Sequence, residues 1–216
     1  MNLLSVENLA KRFGERLLFE NAQFGIQRGE KTALVAKNGS GKSTLLKILM
    51  GQDSPTEGTV TFRKDIRVGF MKQEETFPPT ATIKDVAIPT DHPCLLAEKK
   101  YNEALNNPED QQKMEEAMAE MEATGAWEIE SRMESILQSL DIFFPDKRIN
   151  QLSGGQKKRL SLAQILIDDP DIYILDEPTN HLDLKMIEWL EEFLKMGERS
   201  ILMVTHDRYF LDSVCN

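Results

Sequence analysis

The chain contains little of several features that would define a special class of protein. Among 216 residues there are only two cysteines, Cys94 and Cys215, and they form no C-x-x-C pair, so neither a disulfide framework nor a cysteine metal cluster is expected. No apolar run approaches the roughly 18–20 residues that cross a bilayer, and the first residues do not follow the pattern of a signal peptide. With 40% hydrophobic and 29% charged residues, the composition is typical of a globular protein. We therefore expect a cytoplasmic protein with no transmembrane segment of its own.

An excess of basic residues is also missing. The sequence has 36 acidic and 26 basic residues and a net charge of −10, and residues 98–140 alone have 11 acidic and four basic residues. Proteins that bind nucleic acid generally use basic surfaces to displace counterions from phosphates. A general nucleic-acid-binding function is therefore excluded, and any contact with RNA would have to be local.

Short apolar runs alternate with helical patterns along most of the chain. Residues 31–35, 171–176 and 200–204 resemble buried strands, and residues 43–50, 154–167 and 184–196 have helical spacing. Strands that alternate with helices predict an α/β fold with a mainly parallel sheet covered on both faces.

An acidic helical segment interrupts this alternation. Residues 94–140 have a helical pattern with breaks near 106–108 and at Gly125, after a boundary rich in Pro and Thr. We predict a core of residues 1–90 and 150–216 with a helical subdomain, or short arm, at residues 91–149.

A glycine-rich loop lies between the 31–35 strand and the 43–50 helix. Backbone N–H groups of such a loop, together with the positive end of the following helix, can hold a polyphosphate. Lys42 would supply a charge to the β- and γ-phosphates, and the Ser43 hydroxyl would bind Mg²⁺. The alternative is a loop that only connects strand to helix. The predicted phosphate-binding loop (P-loop) comprises Ala36, Lys37, Asn38, Gly39, Ser40, Gly41, Lys42, Ser43 and Thr44.

Ala36 departs from the usual P-loop pattern, which has a glycine at this position. A left-handed backbone would cost an alanine about 1 kcal/mol, whereas an ordinary conformation would cost almost nothing. Because the rest of the loop is intact, we predict the ordinary conformation.

Two acidic residues end the apolar run Ile172–Leu175. The end of a buried strand reaches the ligand crevice in α/β sheets, so Asp176 can bind magnesium beside Ser43, and Glu177 can orient or deprotonate an attacking water. The alternative is a strand that simply ends at two solvated acids.

The segment Leu152–Gln156, with the sequence LSGGQ, resembles the signature motif of ATP-binding cassette (ABC) ATPases. This resemblance implies an α/β fold of the P-loop NTPase class, specifically an ABC-type nucleotide-binding domain with a helical subdomain insertion. It also implies that the signature holds the γ-phosphate of an ATP bound to the P-loop of a second cassette. A capped helix start is the simpler interpretation. The signature residues are Ser153, Gly154, Gly155 and Gln156.

The resemblance implies further site residues. Phe13 matches the aromatic that stacks on adenine, although a single Phe is also compatible with the core. Gln73 matches a glutamine that joins the magnesium shell, and Asp183 matches the loop that reaches the partner cassette. His206 matches the histidine that contacts the γ-phosphate, and with Lys42 and Glu177 it completes the catalytic set.

The run Asp176–Asp183, DEPTNHLD, is similar to the ABC-F branch, whose members have two cassettes in one chain and no membrane domain. The chain ends soon after His206, so we expect it to be the first cassette of a longer protein. The resemblance implies ATP hydrolysis with Mg²⁺, pairing with a second cassette in the same full-length chain, and a ribosome-associated role in translation or antibiotic resistance. The ATP-binding subunit of a transporter and a non-hydrolysing switch module remain as alternatives.

Overall fold

The computed structural model describes residues 1–36, 39–71, 77–107 and 109–215. The predicted site residues Lys37, Asn38 and Gln73 lie outside these ranges. The chain forms two compact units, Met1–Glu74 with Asp169–Asn216 and Glu75–Asp168.

Seven strands and eight helices account for the regular structure of the described ranges, together with two short 3-10 helices at Ala126–Glu128 and Ile149–Gln151. In chain order they are β1 (Asn2–Phe13), β2 (Arg16–Gln27), β3 (Lys31–Ala33), α1 (Lys42–Leu49), β4 (Glu57–Phe62), β5 (Val68–Phe70), α2 (Ile83–Ala87), α3 (Pro93–Leu105), α4 (Gln111–Thr124), α5 (Ile129–Ser139), α6 (Gly154–Asp168), β6 (Ile172–Asp176), α7 (Leu184–Lys195), β7 (Ser200–Val204) and α8 (Arg208–Val214).

The first unit contains a parallel sheet in the strand order β3-β7-β6-β5. All five residues of β7 and the first four of β6 are buried, as expected of central strands whose two faces are covered. The alternation seen in the sequence therefore predicted this sheet correctly.

A separate antiparallel sheet, in the order β2-β1-β4, belongs to the same unit. Strand β2, which has 12 residues, was not identified from the sequence. Apolar side chains from this sheet, from α1 and from the parallel sheet form one buried cluster: Leu3, Leu4, Val6, Leu9, Ile26, Leu45, Leu46, Ile48, Leu49, Ile172, Ile174, Leu202 and Val204. Helix α1 thus connects the two sheets through the core.

The second unit is helical, and its helix boundaries follow local capping chemistry. His92 caps α3 by accepting a hydrogen bond from the Cys94 N–H at 3.1 Å, and Asp110 caps α4. Gly125 ends α4 with a left-handed backbone, as glycine does without steric cost. The breaks predicted near 106–108 and at Gly125 are confirmed.

The boundaries of the second unit differ from the predicted 91–149. The Ile83 N–H donates to the Lys147 carbonyl at 3.0 Å, and Thr82 forms an antiparallel bridge with Arg148. Helix α2 also packs against α6. Both helices therefore belong to this unit, whereas the prediction assigned them to the core. No helix in the described ranges is long and apolar enough to span a membrane.

Candidate functional site

A cavity of about 470 Å³ opens in the first unit where β6 and β7 end. The start of α1 and the β1–β2 hairpin contribute its other walls. Because parallel strands present their carboxyl ends at one edge of a sheet, residues distant in sequence meet here. The lining residues are Phe13, Arg16, Leu18, Gly39, Gly41, Lys42, Ser43, Thr44, Asp176, Glu177, Val204 and His206.

Gly41 provides the turn into α1. Its φ is +96°, and a Cβ added there would lie 3.0 Å from Cδ1 of Phe19. A larger residue would therefore meet both backbone strain and a steric clash. This glycine lets the chain enter α1 with its N-terminal N–H groups beside the cavity, where they can bind an anion.

Lys42 and Ala36 are joined within the loop. The Lys42 ammonium donates a hydrogen bond to the Ala36 carbonyl at 2.7 Å. Ala36 is not among the described residues with positive φ, so the prediction of an ordinary backbone conformation is confirmed.

Glu177 is held beside His206. Its φ is +51°, and its N–H donates to the Val204 carbonyl at 2.7 Å. One carboxylate oxygen accepts from the His206 backbone N–H at 3.3 Å, and the other lies 3.4 Å from His206 Nε2. The Glu177 side chain is 22% exposed, so a partly buried carboxylate and an imidazole lie together at the cavity wall.

Ser43 and Asp176 both line the cavity. A hydroxyl and a carboxylate are oxygen ligands of the kind that Mg²⁺ accepts, and Mg²⁺ commonly uses one or two such groups together with substrate phosphates. The residues present therefore fit a magnesium site.

Phe13 is 55% exposed and faces the cavity at the end of the β1–β2 hairpin. A place in the core is excluded by this exposure. The Lys11 ammonium lies over the ring, 5.0 Å from its centroid, and is itself held by Asp53 at 2.6 Å and by the Ser54 carbonyl at 2.7 Å. The ring is available to stack on a planar ligand.

Asp183 has a local partner in the first unit. Its carboxylate caps α7 by accepting a hydrogen bond from the Met186 N–H at 3.0 Å. The next residue, Leu184, is 72% exposed. Contact of this loop with a partner cassette remains a prediction.

The signature residues begin α6 in the second unit. Ser153 Oγ accepts from the Gln156 N–H at 3.2 Å, while Gln156 Oε1 accepts from the Ser153 N–H at 3.0 Å, which is a reciprocal capping arrangement. A Cβ on Gly154 would meet no atom of the described residues within 4 Å. The capped helix start, which was the simpler interpretation of the sequence, is present. The absence of a side chain at Gly154 leaves the start of α6 accessible on that side. Binding of a nucleotide here remains a prediction.

Arg16, Leu18 and Val204 also line the cavity, and the sequence motifs did not identify them. Alternation along β2 could not have identified Arg16 and Leu18, because the register of β2 against β1 shifts between Phe19 and Leu17.

Comparisons with known proteins agree with this geometry. Residues 19–180 match the family model described as ABC transporter. The chain is 39% identical over 223 residues to the uncharacterized ABC transporter ATP-binding protein YfmR of Bacillus subtilis, covering all of this chain and 36% of that protein. It is 31% identical over 220 residues to the energy-dependent translational throttle protein EttA of Mycobacterium tuberculosis, covering 98% of this chain and 39% of EttA. The chain thus spans less than half the length of these relatives.

A solved structure of the ATP-binding subunit of an ABC transporter has the same fold. It superposes with a TM-score of 0.73 at 22% identity, over 99% of this chain and 83% of that subunit. The family match, the P-loop at α1 and the paired acids at the end of β6 lead to one assignment. The chain belongs to the ABC family, and it has the fold of a P-loop ABC nucleotide-binding domain.

Proposed function

We propose that this chain binds and hydrolyses ATP as one cassette of an ABC-F-type protein of the cytoplasm. The observation that carries the proposal is the single cavity lined by Phe13, Lys42, Asp176, Glu177 and His206. The cavity brings together an aromatic ring that can stack on a base and a lysine that can bind phosphate. It also contains one carboxylate that can bind a metal ion and a second that can orient a water molecule.

The triphosphate would bind at the start of α1. Backbone N–H groups around Gly41 and the Lys42 ammonium would hold it, and Lys42 would exchange its hydrogen bond with the Ala36 carbonyl for one with a phosphate oxygen. Ser43 and Asp176 would hold Mg²⁺, which neutralises developing charge on the phosphate oxygens. Phe13 would stack on the adenine.

Hydrolysis would depend on Glu177. A carboxylate near the γ-phosphate can orient the attacking water and accept its proton. His206 lies within 3.4 Å of this carboxylate, so it can contact the γ-phosphate while it keeps Glu177 in place. The left-handed backbone of Glu177 is consistent with this role, since such conformations are concentrated at functional sites.

Substitution of Glu177 by Gln in the full-length protein tests the hydrolytic role. Glutamine retains the shape of the side chain but cannot accept a proton, so we expect phosphate release to fall by roughly 10²–10⁴-fold while MgATP still binds. Glu188→Gln, at an exposed position of α7, is the matched control and should keep the wild-type rate. Wild-type turnover by Glu177→Gln would remove Glu177 from the role of base. Absence of phosphate release from the wild-type protein would favour the non-hydrolysing switch.

The signature residues would act on a different nucleotide. Ser153 and the N–H groups of Gly154 and Gly155 begin α6, and a helix start attracts anions. We infer that they cover an ATP bound to a second cassette of the same full-length chain. Two nucleotides would then hold two cassettes together until hydrolysis removes the γ-phosphates.

The ribosome is the proposed site of action. The name of EttA as a translational throttle and the DEPTNHLD sequence of residues 176–183 support this choice. The specific alternative is the ATP-binding subunit of a transporter, which the name of YfmR favours.

Fractionation of cells that express the full-length Glu177→Gln protein separates these two functions. If the ribosomal role is correct, the protein sediments with ribosomes when MgATP is present and leaves them when it is absent. Sedimentation with membrane vesicles instead, in the same buffers, would select the transporter role.

A further inference from the structure

We infer that Arg16 is a nucleotide-binding residue that contacts the α-phosphate of the bound nucleotide. This inference rests on the proposed function and adds a residue to the same site. Arg16 lies outside the P-loop, the paired acids and the signature, yet it lines the cavity to which the start of α1 and the paired acids contribute.

The first step is the charge of Arg16. Within the described ranges its guanidinium has neither an ion pair nor a hydrogen bond, although it lines a cavity with Lys42 at the other wall. Arg12, on the same hairpin, instead lies 3.6 Å from Glu20. A guanidinium presents several donors in a planar fork that matches phosphate oxygens. Arg16 can therefore bind a phosphate without breaking an ion pair or hydrogen bond within the described residues.

The second step is the position of Arg16 along β2. Leu18 packs against the start of α1, since a Cβ on Gly41 would lie 3.4 Å from the Leu18 Cβ. Arg16 lies two residues earlier on β2, about 7 Å along the strand, and lines the same cavity as Leu18. Its backbone pairs directly with Phe13 in the hairpin.

These two positions define where on the ligand Arg16 would act. The terminal phosphates belong at the start of α1, and the base belongs at Phe13. Arg16 lies opposite Phe13 at the end of the hairpin and on the same cavity wall as Leu18, so it would face the part of the ligand next to the base. The anionic group of a nucleotide between the base and the terminal phosphates is the α-phosphate.

The test measures MgATP, MgADP and MgGTP affinity by titration calorimetry of the full-length protein. Arg16→Ala should weaken all three roughly tenfold, as expected for loss of a hydrogen bond between charged groups at an exposed site. Arg16→Lys should lose part of that affinity, because it keeps the charge without the fork. The matched control Arg12→Ala should change none of the three.

A second measurement uses ATP that carries sulfur in place of a non-bridging oxygen on the α-phosphate. If Arg16 contacts that oxygen, the Arg16→Ala substitution and the sulfur replacement disturb the same interaction. Arg16→Ala should then reduce the affinity for this analogue less than it reduces the affinity for ATP.

The outcomes separate the inference from the proposed function. If wild-type protein binds MgATP and Arg16→Ala binds it equally well, the inference is overturned and the proposed function stands. An affinity loss for only one of the two bases would also overturn it, because Arg16 would then read the base. Failure of the wild-type protein to bind MgATP would overturn both.

Discussion

Ala36 occupies the P-loop position where glycine is usual, and its backbone does not have positive φ. Its carbonyl accepts the Lys42 hydrogen bond at 2.7 Å, and that contact needs no particular side chain. Gly41 is the opposite case, because its φ of +96° and its proximity to Phe19 both require glycine. The loop conformation therefore favours glycine at position 41 but does not need it at position 36.

Substitution of Ala36 by Gly should therefore bring no gain in nucleotide affinity. It should lower the free energy of unfolding by about 0.4–1 kcal/mol, because glycine adds freedom to the unfolded chain. Urea unfolding and MgATP titration measure the two quantities. Gly41→Ala is the comparison and should lower both stability and affinity. A tenfold tighter MgATP complex with Ala36→Gly would show that the alanine strains the loop after all.

Lys42, Ser43, Asp176, Glu177 and His206 were all predicted from motifs, and the structure brings them to one cavity. Motifs succeed here because each residue lies directly at a strand end or a helix start. Arg16 was not predicted, because its place in the cavity depends on pairing between β1 and β2. The predicted roles of Lys37 and Asn38 in nucleotide binding and of Gln73 in magnesium binding remain predictions.

At the scale of elements, β6, β7 and α7 were predicted within about a residue of their observed bounds. Their apolar periodicity is strong because both faces of the strands and one face of the helix are buried. Strand β2 was missed because its burial alternates only in its second half, residues 22–27, and only Ile26 is buried among its 12 residues. Its conformation is imposed by pairing with β1, through several shifts of register.

The first turn of helix α2 is stabilised by a reciprocal cap between Thr82 and the ionised carboxylate of Asp85. Thr82 donates its backbone N–H to the Asp85 carboxylate at 2.8 Å, and the Asp85 N–H donates to Thr82 Oγ1 at 3.2 Å. The backbone hydrogen bond from Thr82 lowers the pKa of Asp85, because it favours the ionised carboxylate.

This pKa gives a pH dependence of stability with a definite sign. The ionised form stabilises the folded state above the unfolded pKa of about 3.9, and that contribution is lost as the pH falls through the lowered folded pKa. Asp85→Asn keeps an acceptor for Thr82 but does not titrate. Between about pH 5 and pH 2.5, the wild type should therefore lose more unfolding free energy than Asp85→Asn.

Urea unfolding across this pH range measures the difference. Asp91→Asn, at an exposed acid before α3, is the control and should follow the wild-type curve. Parallel curves for wild type and Asp85→Asn would contradict the expected contribution of the cap.

On the scale of the whole molecule, the contribution of the signature residues to ATP turnover can be tested by a substitution that leaves the fold intact. Gly154 needs no special φ, and a Cβ there would meet nothing within 4 Å in the part of the chain that the structure describes. Gly154→Ala should leave the free energy of unfolding unchanged or raise it by up to about 1 kcal/mol, because alanine is the better helix former.

The same substitution should lower ATP turnover of the full-length protein by about tenfold or more, because the methyl group would separate a phosphate from the helix N–H groups. Lys158→Ala, at an exposed position of α6, is the control for both measurements. Unchanged turnover with Gly154→Ala would mean that no ligand approaches this helix start closely.

The Lys11 ammonium over the Phe13 ring limits how a purine could stack on that ring. Lys11 is fixed by Asp53 and Ser54 and covers one side of the ring. An incoming heterocycle is left with the opposite side alone, so it can approach from a single direction. A nucleotide whose base stacks on Phe13, as proposed, would therefore be held by the hairpin in one orientation.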